Sequence, residues 1–465
     1  MDVDTVKKKR FEMPDAFVII FAILLLAVLL TYVVPAGEFQ REEVDGRSIV
    51  ISGTYERIEN QPASILTTFT SIQQGLVDSA PIIFMVLIIG GAVGVIDHTG
   101  AINSGVNALI GRAKNQKYIL VAAFIMIFAV MDFIGISGNA IIAFIPIGII
   151  LARALKLDPI IGVAMVYLGQ YVGVATGTFD PVITGLAQSI AELPLFSGWH
   201  LRLIAFFMLL VITMTYILLY VKRVSKDPSK SIVKFSDTDG LDEQKVEEFG
   251  PFTGRHKLVL LTSLAFMAFF IYGVFQFEWS TNELAGIFIM MSIAAAIVGR
   301  FRMNEYVEVF IKGAQGIVYG ALVIGLARAV VIVLENGKVL DTLVNAAFTP
   351  MAELPLFLAA QAMFIFNLLF NLIVTSGTGQ AAIVMPFMVP LADMLDISRQ
   401  TAVLAFKLGD GTTNIIAPTS GILMAVLAVG KIPYSKWFKF VLPLVGLWVV
   451  VGIIMIGIAV VTGYQ

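Results

Sequence analysis

The chain has no cysteine among its 465 residues and only three histidines, His98, His200 and His256, spread along its length. Disulfides, thiolate zinc sites and thiol redox chemistry are excluded, and no histidine cluster with metal-ligand spacing exists. Charge is scarce as well. Asp, Glu, Lys and Arg make up 14% of the sequence and the net charge is −2, so no excess basicity marks a nucleic-acid partner. A Gly-Lys-Ser or Gly-Lys-Thr phosphate cradle is missing, and "GDGTTN" at 409–414 has no strand before it.

What is abundant is hydrocarbon. The sequence is 58% hydrophobic with a mean hydropathy of +0.90, and several runs exceed the roughly 18 apolar residues that read as a membrane span. This is the pattern of an all-α polytopic membrane protein with the lipid bilayer as its solvent. The first run, Phe17 to Val34, is longer than the apolar core of a signal peptide and reads as a span. Lys7, Lys8, Lys9 and Arg10 before it put the N-terminus in the cytoplasm by the positive-inside rule.

Loop charges carry the topology onward. Residues 35–75 read as an external loop, 79–98 as a span, and 118–134 and 140–155 as two apolar arms around "GISGN". The stretch 160–191 would be about 48 Å long as one helix, more than the roughly 30 Å core, so a break is expected in "GVATGTFDPVITG" at 173–185. A span at 200–221 leads to a hydrophilic cytoplasmic linker at 226–256, followed by spans at 257–277, 282–299 and 315–334. Arms at 356–374 and 381–395 surround "TSGTGQ", an interrupted stretch fills 400–430, and the last span is 437–461. Loop charge alone leaves open whether each pair of arms crosses fully or forms a re-entrant hairpin. The amphipathic stretches 60–75 and 303–316 suit interfacial helices; for the first, an ordinary loop is the competing reading.

The halves repeat. Gln74, Ser137-Gly138, Gly169, Pro181 and Trp199 find matches in Gln315, Ser376-Gly377, Gly409, Pro418 and Trp437, each about 240 residues further on and in the same order. The span at 282–299 turns the second unit over relative to the first. The domains expected are an N-terminal half, 1–225, with a repeat unit from about 66; the linker 226–256; and a C-terminal half, 257–465, with a repeat unit from about 303. An inverted-topology repeat with Gly- and Pro-interrupted segments at matching positions points to a secondary transporter whose site lies near the bilayer midplane.

Irregular backbone at that depth is tolerated only where protein or water satisfies it. Four interruptions should therefore converge: the tips Ser137-Gly138-Asn139 and Ser376-Gly377-Thr378, the break with Thr176, Thr178 and Asp180, and the break with Asp410, Thr412, Thr413, Asn414, Thr419 and Ser420. Hydroxyls, amides and freed carbonyls suit an ion or a zwitterion, while the bland reading is close helix packing by small residues. Asp180 before Pro181 fits a helix N-cap, a cation ligand, or both. Asp410 between Gly409 and Gly411 is expected at unusual dihedrals and as a functional carboxylate. Lys407 has two readings, a pair with Asp410 three residues on or a contact to a substrate carboxylate. Asp132 and Arg328 are candidate charge partners, of each other in one arrangement. Trp199, Trp279 and Trp437 stand beside span ends and read as interface-belt residues.

"KLGDGTTNIIAPTSGILMAVLAVGKIPYSKWFKF" and "YVGVATGTFDPVITGLAQSIAELPLFSGWHLRLI" resemble signatures of the YfcC-like family of basic amino acid antiporters, grouped with arginine/ornithine exchangers and anaerobic C4-dicarboxylate carriers. The resemblance covers nearly the whole chain. It implies membership of a larger ion transporter superfamily, with a scaffold domain, a transport domain bearing two re-entrant helical hairpins and two broken transmembrane helices, an elevator-type displacement, a homodimer, and the inner membrane of a prokaryote. Hairpin tips in that group carry a Ser-Asn-Thr type motif that contributes to sodium sites. Here glycine replaces the middle asparagine at Gly138 and Gly377, which leaves Na+ or H+ open as coupling ion.

The expected function is a secondary transporter of a small charged metabolite. An amino acid of the arginine/ornithine type is favoured because Asp132, Asp180 and Asp410 outnumber Lys407, with a C4-dicarboxylate or other small carboxylate as the alternative. An intramembrane enzyme finds no nucleophile with a base and no metal set. A channel is separated from a carrier by saturable counterflow. No cofactor, resident metal or nucleic-acid partner is expected.

Overall fold

The computed structural model describes residues 14–465 except 45–46, 52, 103, 105–115, 136–137, 234–251, 278 and 280. In chain order the helices are α1 (Ala16–Val33), α2 (Ile65–Asp78), α3 (Ala80–His98), α4 (Lys117–Phe133), α5 (Ile145–Ala154), α6 (Pro159–Thr176), α7 (Ile183–Ile190), α8 (Trp199–Lys226), α9 (Gly254–Phe277), α10 (Thr281–Gly299), α11 (Met303–Gln315), α12 (Val318–Asn336), α13 (Leu340–Met351), α14 (Leu356–Phe370), α15 (Gly377–Met394), α16 (Arg399–Asn414), α17 (Gly421–Gly430) and α18 (Tyr434–Thr462). Among the described residues seven of them are long and apolar enough to cross a membrane. The series α2-α3-α4-α5-α6-α7-α8 recurs as α11-α12-α14-α15-α16-α17-α18, with α13 added between α12 and α14.

Residues 65–78 are helical, capped by Ser64, whose side chain accepts from Thr67 N, and Ile65, Leu66 and Phe69 stay exposed on one face. An apolar face left uncovered on a helix of this kind suits the lipid interface. The two short amphipathic helices are exchanged between repeats: α2 packs on α12 and α11 on α3. Glycine makes both contacts. A Cβ on Gly75 would stand 2.3 Å from Gly325 O, and one on Gly313 2.5 Å from Gly90 O.

At the centre lie α6 and α16. Every residue of α6 except Val174 is buried, and so is every residue of α16 except Arg399. They run antiparallel, since Gly411 abuts Ala175 while Tyr167 OH donates to Asn414 O at 3.1 Å. Each is accompanied by a parallel arm. Gly169 and Gly173 meet Ile125 and then Ala129 and Phe133 of α4, while Gly409 meets Asn367 of α14 and Thr413 meets Asn371 just beyond it.

The first break falls where its residues predict. Gly177 ends α6 at φ +47, a left-handed conformation that glycine adopts without Cβ strain, and Asp180 opens α7 by accepting from Val182 N, Ile183 N and Thr184 N at 2.9, 3.1 and 3.3 Å.

The second break differs from expectation. α16 continues as regular helix through Gly409, Asp410 and Gly411 and ends only at Asn414. Its glycines serve close approach rather than unusual dihedrals: a Cβ on Gly409 would lie 2.5 Å from Asn367 Cβ, and one on Gly411 2.2 Å from Ala175 Cα. The carbonyls left open at the helix end are satisfied by rings. Trp437 Nε1 donates to Ile415 O at 2.9 Å and Tyr434 OH to Ile416 O at 2.7 Å. Trp437 is fully buried, so it is a helix-end donor and not a belt residue.

Residues 37–57, read from sequence as loop, contain four short strands. β1 (Gly37–Glu38) pairs with β4 (Glu56–Arg57), and β2 (Arg41–Val44) with β3 (Arg47–Val50), all antiparallel. What holds them is distant in sequence. Arg41 Nη2 contacts both carboxylate oxygens of Asp341 in α13 at 2.8 and 2.9 Å, and Phe39 N donates to the same carboxylate at 3.0 Å.

Candidate functional site

Both breaks and the described parts of both hairpin tips meet in the middle of the fold. The strongest interaction there is one that the sequence did not suggest. Lys407 Nζ lies 3.2 Å from Asp180 Oδ2, joining α16 to the cap of α7, and the lysine side chain is 0% exposed and the aspartate 6%. Asp410 is therefore not the partner of Lys407, because a helical i,i+3 neighbour faces along the same helix while the α6–α7 break presents its carboxylate directly across the packing. Lys407 Nζ has no hydrogen-bond partner among the described residues. A buried ion pair is expensive to break: removing one partner costs about 3–5 kcal/mol, since it strands a buried charge.

Asp410, 1% exposed, faces the second tip. Its Oδ2 would stand 3.1 Å from a Cβ on Gly377, which also touches Ile183 of α7. Its Oδ1 accepts from Asn414 Nδ2 at 3.1 Å. A chain of carboxamides continues from there. Asn371 Nδ2 donates to Asp410 O at 2.8 Å and Thr413 Oγ1 at 3.0 Å, and Gln380 Nε2 donates to Asn367 Oδ1 at 2.8 Å. Asn367, Asn371 and Gln380 are fully buried, yet sequence reasoning passed over all three. The available signal was "FNLLFNL" at 366–372, two asparagines four apart on one face of an apolar arm.

The remaining residues of the second half sort by role. Ser376 Oγ caps α15 by accepting from Gly379 N at 3.2 Å, and Ser420 Oγ caps α17 by accepting from Leu423 N at 3.3 Å. Thr419 Oγ1 donates to Leu372 O at 2.6 Å, tying the break to the tip. Thr412 is buried in α16, and Thr378 is half-buried in the first turn of α15; among the described residues neither bonds to Asp180, Lys407 or Asp410.

In the first half, Gly138 N donates to Asp132 Oδ1 at 3.4 Å and Gln170 Nε2 to Gly138 O at 2.8 Å. Gln170 thus stands to its tip as Asp410, about 240 residues on, stands to Gly377. Ser137 and the side chain of Asn139 lie outside the described residues. Thr176 Oγ1 bonds back to Val172 O and Gly173 O within its own helix, whereas Thr178 Oγ1 and the neighbouring Thr184 Oγ1 are buried without a partner among the described residues.

Arg328 is removed from this centre. It pairs with Asp78 and Glu335, both at 3.6 Å, because α12 packs on α2 rather than on the arm carrying Asp132. Its place near the site as a second buried cation is taken by Arg202 of α8. That side chain is 0% exposed and donates to Ser197 O at 2.9 Å and to Thr178 O at 3.5 Å.

Residues 13–461 match the family described as DcuC, C4-dicarboxylate anaerobic carrier. The chain belongs to this family. As a DcuC-family member it is a membrane transporter. It is 32% identical over 496 residues to the Escherichia coli K12 protein named "Putative basic amino acid antiporter YfcC", with 98% of each chain covered. Over 501 residues it is 29% identical to an uncharacterised protein of Haemophilus influenzae, covering 97% of each. Among solved structures, the Alcanivorax borkumensis YdaH transporter overlays on 97% of this DcuC-family chain and 99% of its own, with a TM-score of 0.43 and 16% identity. Neisseria gonorrhoeae MtrF, assigned in its description to a class of antimetabolite efflux pumps, gives 0.42 and 15% over 97% and 96%.

Proposed function

We propose that this chain is a secondary active transporter that exchanges a small cationic amino acid of the arginine/ornithine type. The observation that carries this reading is the Lys407–Asp180 pair. With the lysine charge matched inside the protein, the described buried charges around the breaks are three carboxylates, Asp132, Asp180 and Asp410, against two cations, Lys407 and Arg202. A cationic substrate balances the excess, and Asp410 beside the second tip is its contact. The carboxamide oxygens of Asn414 and Gln380, buried without partners among the described residues, suit the amine and guanidine donors of such a ligand.

The mechanism proposed is elevator-like, in a homodimer of the inner membrane with a cytoplasmic N-terminus. Short arms support two re-entrant hairpins in an inverted repeat: α5 and α14 have 10 and 15 residues, about 15 and 22 Å at 1.5 Å per residue and short of the roughly 30 Å core. Each outer arm, α4 or α14, runs parallel to the broken helix that follows the inner arm, so both arms of a hairpin start and end on one face. Because α6 and α16 are antiparallel, the two hairpins open to opposite faces. The domain division 1–225, 226–256 and 257–465 goes with this arrangement, and the tips, breaks and their half-helices form the moving part.

The test is counterflow in proteoliposomes loaded with unlabelled arginine. Saturable entry of labelled arginine or ornithine is expected. Exchange of succinate or fumarate without exchange of either amino acid overturns the assignment in favour of a carboxylate carrier, the reading supported by the family description and by a buried lysine at the site.

A further inference from the structure

A sodium ion held inside protein needs hard oxygen ligands and a balancing negative charge. The break between α6 and α7 supplies both, in the Asp180 carboxylate and the hydroxyls of Thr178 and Thr184, all at most 5% exposed. Neither hydroxyl has a hydrogen-bond partner among the described residues. The position is nevertheless taken. Lys407 Nζ sits 3.2 Å from Asp180 Oδ2, and a single carbon added at Gly177 would stand 2.2 Å from both Lys407 Cε and Thr184 Oγ1. Lysine stem, hydroxyl and carboxylate thus crowd one small volume, and the ammonium already provides the positive charge. A sodium ion does not fit the first break while Lys407 is there.

We propose that Lys407 is a tethered cation standing in for a coupling sodium ion at the α6–α7 break, so that this break cycles without sodium. A tethered charge differs from a free ion in one respect: it cannot be released on either side of the membrane. It stabilises the empty carrier in every conformation that keeps α16 against α7, and it contributes nothing to the driving force. Removing the ammonium while leaving Asp180, Thr178 and Thr184 in place converts the break into a sodium site.

The inference rests on reading the breaks as the carrier's binding site, but its readout is heat stability and not flux, so a wrong choice of substrate leaves it standing. Full-length wild type and Lys407→Gln are purified and melted in sodium chloride and in choline chloride at equal ionic strength. The wild type is expected to melt alike in both salts at this site's expense, and K407Q to rise by several degrees in sodium. Adding D180N to K407Q is expected to abolish that rise. Three results overturn the proposal: a K407Q protein that melts identically in both salts, a sodium shift in the wild type as large as in K407Q, or a K407Q protein that fails to fold even when prepared in molar sodium chloride.

Discussion

Asp410 and Asp180 are both buried aspartates at the second and first breaks, yet they do different work. Asp180 is committed to a helix cap and to Lys407, whereas Asp410 holds Asn414 with one oxygen and presents the other toward Gly377. Asp410→Asn keeps the size of the side chain and removes its charge. Arginine exchange is expected to fall by about 100-fold, the scale of losing a buried charge contact worth ~2–5 kcal/mol, while the melting temperature changes little. Exchange at the wild-type rate would remove Asp410 from the site. At this scale the sequence told the residue types but not their partners. Polar residues in hydrocarbon singled out Asp180, Lys407 and Asp410, all of which the fold buries, but Lys407 and Asp180 are 227 positions apart, and no helical spacing rule reaches across a fold.

Glycine and tryptophan show the same divide among elements. The break at 177–182 was visible because Gly177 and Pro181 flank Asp180, residues that stop and start helices on their own. The break after Asn414 was misplaced because Gly409 and Gly411 carry the same local signal for a different reason, the contact of α16 with its neighbours. Trp437 and Trp199 look alike in sequence, each beside a span end, yet one is buried against Ile415 O and the other is 46% exposed. Trp437→Phe leaves a buried carbonyl without its donor and is expected to cost about 1–3 kcal/mol, read as a lower melting temperature. Trp199→Phe is expected to leave it within a degree or two. Equal effects would assign Trp437 to packing alone. The strands between Gly37 and Arg57 escaped notice since two- and four-residue strands have no periodicity to read, and their anchor is Asp341. Asp341→Ala is expected to open residues 37–57 to limited proteolysis from outside without lowering the melting temperature of the helical body by more than a few degrees.

For the molecule as a whole, the absence of cysteine makes every engineered cysteine unique. Gln116 and Lys156 flank the first pair of arms, Glu353 and Asp396 the second, and all four are exposed. Single substitutions Gln116→Cys and Lys156→Cys are expected to react with a membrane-impermeant thiol reagent from the cytoplasmic side only, and Glu353→Cys and Asp396→Cys from the external side only. Either pair reacting from opposite faces means that the chain crosses the bilayer an odd number of times between them, so that its arms do not form a hairpin. The order of apolar helices was readable because hydropathy and a 240-residue echo are properties of long stretches. The exchange of α2 and α11 between repeats was not, because it depends on which glycine meets which backbone.

That exchange sets a condition on how such a chain can arise and be divided. Helix α2 finds its seat on α12 and helix α11 on α3, with Gly75 against Gly325 and Gly313 against Gly90. Produced as two polypeptides parted between residues 233 and 252, neither half has a surface of its own for the helix it contributes, so the fragments should be degraded singly and recover function only when synthesised together. A single-repeat protein with this packing would need a second copy of itself to seat its amphipathic helix.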